Sequence, residues 1–373
     1  MARTKPRHRG AREISRVRQR QSTRGEGDRP SRAFLPPCVV AFIVGVGLTT
    51  MTFLALSPSS DSPRSDLRTI AQAGTSSAEA GSLGDLASLS PEGIASCDIA
   101  RLNLLAAEGL PGADGLNVER SIAELNRWAA RVRSETDRHL YKYASDPASF
   151  ENSEAYFRVL MLITVLQQDL GVHYNPDRID NPDFTSSRDL FLNGMVGSDN
   201  GGTCVSMPVL YVAVGRRLGY PLKLVVTKGH VFARWEDDRD RFNIEGAGLG
   251  LTTHSDEHYT TWPYKLEKSE INNGWFLRSL APAEELAVFL MQRGHCLEDN
   301  GRLHEAQVAY ALAHRFAPSS PEALVYLTEL IRKETAERRS ALTGRTALAS
   351  QQAWLKQKRR EAEEIARKMV ERK

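Results

Sequence analysis

Residues 33–56, AFLPPCVVAFIVGVGLTTMTFLAL, run for 24 residues without a charge. A bilayer core takes about 20 apolar residues in helix, so this stretch is long enough for one crossing. It divides the chain into a leading tail and a long body that must fold in different surroundings. Pro36, Pro37, Gly45 and Gly47 sit more easily in a membrane span than in a soluble core helix. A cleaved signal peptide is the rival reading, since Ala55-Leu56-Ser57 resembles a small-residue cleavage site. The 32-residue lead is long for a signal, so the stretch is read as a single-pass anchor, with Cys38 inert inside it.

Charge supports that division. Residues 1–32 hold eleven Lys/Arg against three Asp/Glu, whereas the rest holds 38 basic and 43 acidic side chains. Basic flanks stay cytoplasmic, which puts the N-terminus inside and the body outside the cytoplasm at the cell membrane. A net-acidic body is a poor nucleic-acid binder, so no nucleic-acid partner is expected. Four cysteines in 373 residues exclude a disulfide scaffold. Residues 57–93, rich in Ser, Ala, Gly and Asp, read as a flexible linker between anchor and body.

The body begins helical. Ser90-Pro91-Glu92 has the form of an N-cap, a first-position proline and an acidic first turn. Ile122, Leu125, Trp128 and Val132 recur at helical spacing, and Tyr156–Leu170 is apolar enough for a buried helix ended by Gly171. A Gly/Asn/Asp-rich loop follows, then a helix over Val205–Leu218 stopped by Gly219 and Pro221. Three β-type runs come next, at Leu222–Thr227, His230–Trp235 and Arg241–Ile244. A helix packed on a small antiparallel sheet makes an α+β domain over 94–281. Residues 282–332 are helical, and Gly294 to Pro318 has the small-residue pattern of one tetratricopeptide repeat. An ordinary helical hairpin explains that pattern too. A lone repeat cannot bury its own face, so it packs on the domain or on a protein partner. Residues 333–373 read as a charged amphipathic helix.

One segment carries chemistry. Cys204 follows Gly201-Gly202-Thr203 at the start of the apolar helix. Unpaired N–H groups and the helix dipole stabilise a thiolate there, and the thiolate is the nucleophile. His230, heading a β-run, is a candidate base. Asn243 and Glu245 lie on the same face of the following strand, and either could orient the imidazole. The backbone N–H of Cys204 lies where negative charge would develop on an attacked carbonyl. Trp235 is either core or a wall of the acyl cleft. His254 and His258, four apart in HSDEHY, have no evident third metal ligand nearby. Cys97 and Cys296 could pair outside the cytoplasm. No phosphate-binding glycine loop is present.

The order Cys, His, acid or amide within GGTCVSMPVLYVAVGRRLGYPLKLVVTKGHVFARWEDDRDRFNIE resembles the transglutaminase-like branch of the papain-type cysteine hydrolases. The resemblance covers about 45 residues and weakly extends over 94–280. It implies a catalytic triad of Cys204 as nucleophile, His230 as base and Glu245 as third member. The family usually has Asp there, while papain-like relatives use Asn, which leaves Asn243 as the alternative. The implied activity is acyl transfer through a Cys204 thioester on a peptide or protein substrate, with hydrolysis favoured over amine transfer and no metal or organic cofactor. Family members that lost the cysteine serve as scaffolds, so a catalytically silent interaction module is the alternative.

Overall fold

Two short signals start the folded body as the sequence leads one to expect. The Ser90 hydroxyl accepts the Gly93 N–H at 3.2 Å, and Pro91 opens the helix Pro91–Ala95. A computed structural model describes residues 81–179, 183–341 and 351–361. The basic tail, the anchor at 33–56, most of the linker and part of the C-terminal helix lie outside the described residues. Among the described residues no helix is long and apolar enough to cross a membrane.

Helix α1 (Ile99–Ala107) is buried on every side, as its all-round apolar sequence requires. Asp98 caps it by accepting the N–H groups of Ala100 and Arg101 at 2.7 and 3.2 Å. Helix α2 (Val118–Ser145) is amphipathic and buries Leu125, Trp128, Ala129 and Val132. Helix α3 (Glu154–Thr164) stops earlier than the apolar run suggests, because Val165–Asp169 forms a wider π-turn. That turn carries Gln167, which donates to the Tyr211 hydroxyl at 3.1 Å and accepts from Gly250 N–H at 2.8 Å. Helix α4 (Met207–Arg217) is buried along nearly its whole length.

The sheet is an antiparallel meander of β1 (Leu222–Thr227), β2 (His230–Glu236) and β3 (Arg241–Ile244), in the order β1-β2-β3. Thr227 pairs with His230 across a two-residue turn in which Gly229 has φ of 73°. The free edge of β1 is covered by the chain at 277–280, whose Leu277 and Leu280 N–H groups donate to Val226 and Leu224 carbonyls at 2.9 Å.

The C-terminal helices α5 (Pro282–Asp299), α6 (Leu303–Phe316) and α7 (Pro321–Ala341) share one hydrophobic core with the rest. Arg293 on α5 donates to the Ala106 and Glu108 carbonyls at 2.8 and 2.6 Å, which locks α5 onto the end of α1. Glu285, fully buried on α5, forms a two-pronged pair with Arg216 of α4 at 2.8 and 2.6 Å. One of the small residues behind the repeat-like pattern, Gly294, has a local packing reason. A Cβ on Gly294 would stand 2.2 Å from the Tyr310 ring, so α5 and α6 approach closely only because residue 294 is glycine. Cys97 and Cys296 form no disulfide; Cys97 donates instead to the Gly93 carbonyl at 3.4 Å.

Candidate active site

Cys204 sits in a tight turn just ahead of α4. The Thr203 carbonyl accepts from the N–H groups of Ser206 and Met207 at 3.2 and 3.0 Å, and Thr203 N–H donates to the Ser206 hydroxyl at 2.9 Å. Helical hydrogen bonding therefore starts at Thr203 and puts Cys204 in the first turn, where N–H groups have no intrahelical carbonyl to donate to. The glycines before it have separate duties. Gly201 has φ of 82°, while a Cβ on Gly202 would meet Met195 and Met207 sulfur at 2.6 and 2.7 Å. The loop is also stitched to the chain at 173–175. Gly202 N–H donates to the His173 carbonyl at 2.9 Å, and its carbonyl accepts Asn175 N–H at 2.8 Å.

That stitching presents Tyr174 to Cys204. The Cys204 N–H donates to the Tyr174 hydroxyl oxygen at 3.2 Å, so this oxygen marks the place an oxyanion would occupy. Tyr174 was not foreseen from the sequence, because only the bridge between Tyr174 and Gly202 makes the two neighbours.

The register of β2 and β3 sorts the polar residues. Arg234 pairs with Asn243 and Ala233 with Ile244. His230, Arg234, Asn243 and Glu245 thus project from one face, as their parity predicts. Asn243 meets Arg234, not His230: its amide oxygen accepts Arg234 Nε at 2.7 Å, and its Nδ2 donates to Asp256 Oδ1 and the His254 carbonyl at 2.8 and 2.9 Å. Glu245, one residue past β3, meets His230. Nε2 of His230 donates to Glu245 Oε2 at 3.0 Å. An acceptor at Nε2 holds the proton there and leaves the lone pair on Nδ1. Nδ1 is buried and has no hydrogen-bond partner among the described residues.

Glu245 has two further donors. The Tyr259 hydroxyl reaches Oε2 at 2.9 Å and Ala247 N–H reaches Oε1 at 2.9 Å. Burial pushes the carboxyl pKa up, but His230, Ala247 and Tyr259 outweigh it and hold it below the ordinary range. Tyr259 lies flat on Phe232 with ring centres 3.9 Å apart, and Trp262 meets the His230 ring edge-on at 4.6 Å. Tyr259 and Trp262 are three residues apart at the end of a helical turn, a spacing visible in HSDEHYTTW. The histidines of that run divert attention from it. Their rings stack 4.1 Å apart, and His258 leans on Trp262 at 5.4 Å, which is packing geometry. Trp235 is core, held between Tyr220 and Phe242 at 5.3 and 6.2 Å.

Cys204 and His230 line one cleft, open to solvent on one side. Cys204 is 7% exposed and His230 is 3% exposed, so both are largely removed from bulk water. Cys204 ahead of α4, His230 heading β2 and Glu245 bonded to the His230 ring therefore lie in one region of an α+β fold. Residues 119–262 match the family model of the transglutaminase-like superfamily, and the chain carries a domain of that superfamily there. The match contains Cys204, His230, Glu245, Tyr259 and Trp262, and it ends before the C-terminal helices. No curated protein and no solved structure matches the chain.

Proposed function

We propose that the body is a cysteine-dependent amidase or peptidase, carried on a single-pass anchor with the body outside the cytoplasm. The observation that carries this reading is the hydrogen bond from His230 Nε2 to Glu245 Oε2, with Cys204 on the same cleft. The uncharged stretch at 33–56 behind a basic tail supports the anchor.

The chemistry follows from the proton's position. His230 Nδ1 takes the Cys204 proton, and Glu245 stabilises the resulting imidazolium through Nε2. The thiolate sulfur bonds to the amide carbon, and the carbonyl oxygen becomes an oxyanion facing the Cys204 N–H in the place of the Tyr174 hydroxyl. The C–N bond breaks as the nitrogen takes the proton from the imidazolium, and the amine departs. Water then attacks the thioester, gives one proton to His230, and the C–S bond breaks to release the acid and the thiolate. An amine in place of water gives transfer through the same groups; a wet compartment favours hydrolysis.

A thiol-directed electrophile applied to the full-length protein tests this. Wild type should label at Cys204 and His230→Ala should label far more slowly. Labelling that persists undiminished in Cys204→Ala, or that is indifferent to His230, defeats the enzyme reading.

A further inference from the structure

The cleft has a second wall that the superfamily match does not include. Helices α5 and α7 contribute Gln292, His295, Glu322 and Tyr326, facing the side that holds Cys204 and His230. We propose that Glu322, with Gln292 lining the same cleft, selects a substrate carrying a cationic side chain close to the amide under attack. This rests on the cysteine-amidase reading and names the substrate class for that site.

The argument is one of unspent hydrogen-bond capacity. A carboxylate offers about four lone-pair sites. Glu322 uses one, accepting Trp275 Nε1 at a long 3.4 Å, and no ion pair to it occurs among the described residues. The Gln292 side-chain oxygen is buried and has no hydrogen-bond partner among the described residues. Two acceptors on one wall therefore want donors, and ammonium and guanidinium groups are donor-only ligands.

Among the described residues around the cleft, each cationic side chain is already engaged. Arg178, across the cleft, is engaged by Asp183 at 3.3 Å and Asp189 at 3.1 Å. Lys228 acts on Glu322 through space but is tied to Glu270 at 2.7 Å. His295 is held neutral at pH 7, its pKa pushed down to about 4 by burial, and its Nδ1 is engaged with the Tyr310 hydroxyl at 2.9 Å. Tyr326 offers no positive charge. Burial pushes the Glu322 carboxyl up to about 7, the mark of a charge that its surroundings do not offset. The same cleft presents Phe184, Val288 and Met291, apolar surface on which a lysine or arginine stem can lie while its head reaches the carboxylate.

The test measures binding on full-length protein with Cys204→Ala, so that turnover plays no part. Fluorescence anisotropy is read with capped alanine tetrapeptide amides in which each position in turn is Lys, norleucine or Glu. At one position Lys should bind at least about tenfold tighter than norleucine, with Glu weakest. Adding Glu322→Gln, which keeps an acceptor for Trp275, should bring the Lys and norleucine affinities together. Absence of a Lys preference at every position overturns the proposal, as does a preference that survives Glu322→Gln. Cys204 labelling by iodoacetamide in otherwise wild-type and Glu322→Gln proteins should be equal. Loss of labelling in both would strike the amidase reading and leave the binding result to stand by itself.

Discussion

The two walls of the cleft are built on opposite plans. On the sheet side, Glu245 accepts from His230, Tyr259 and Ala247, and the Cys204 N–H is taken by Tyr174. On the helical side, among the described residues, Glu322 keeps one long hydrogen bond and the Gln292 oxygen keeps none. A dense network of this kind fixes side chains in place and leaves the His230 Nδ1 lone pair open among the described residues. A wall with spare acceptors holds its capacity for a ligand. In the function proposed above, the difference separates reaction from recognition, and the separation coincides with the end of the superfamily match at residue 262.

The sheet wall should break most completely. Cys204→Ala removes the nucleophile, and amide turnover should fall by about 10³-fold or more while the urea midpoint stays nearly constant. Next in size, Arg216→Met strips the fully buried Glu285 of its partner and loosens the seam between α4 and α5. Chemical denaturation should register a loss of about 3–5 kcal/mol. Glu245→Gln leaves the shape but weakens the hold on the imidazole, so kcat should drop by about 10²-fold or more in steady-state assays.

The pH dependence of stability sharpens the contrast, because the two carboxyls move in opposite directions. Glu245 lies below its unfolded value near 4.3. Its contribution is complete above that pH and fades as pH falls through the folded value. Glu322 lies above its unfolded value, at about 7. Its contribution is complete below about 4.3 and is lost as pH rises through 7. Urea midpoints measured from pH 3 to 9 should therefore flatten on the acid side in Glu245→Gln and near neutrality in Glu322→Gln. The smallest expected effect is at Cys296, whose thiol burial pushes up to about 11. Mass spectrometry after brief iodoacetamide treatment at pH 7 should find it unmodified.

Much of the sheet wall was legible in the linear chain. The strand bounds at 222–227, 230 and 241–244 follow from β-rich runs cut by turn residues, and Cys204 follows from glycines ahead of an apolar helix. Parity placed Asn243 and Glu245 on one face but could not choose between them as the partner of His230. The choice needs register, and register is a relation between strands: pairing Arg234 with Asn243 gives the amide to the guanidinium and leaves the carboxylate for the imidazole. The targets of Tyr174 and Tyr259 are hidden in the linear chain for the same reason, since each reaches its partner through contacts between separated segments.

The small-residue pattern near Gly294 shows the opposite limit. It suggested a repeat, which the superfamily match does not reach; the structure accounts for one of its residues, Gly294, by the close approach of Tyr310. Hydrophobic periodicity and turn chemistry act over a few residues, so the chain alone decided its helices, its strands and the seat of its thiol. Which side chains share a cleft is decided by packing across long separations, where α5 and α7 close over a cysteine about 90 to 120 residues earlier in the chain. No local rule encodes that meeting, because it is the shared core that brings the walls together.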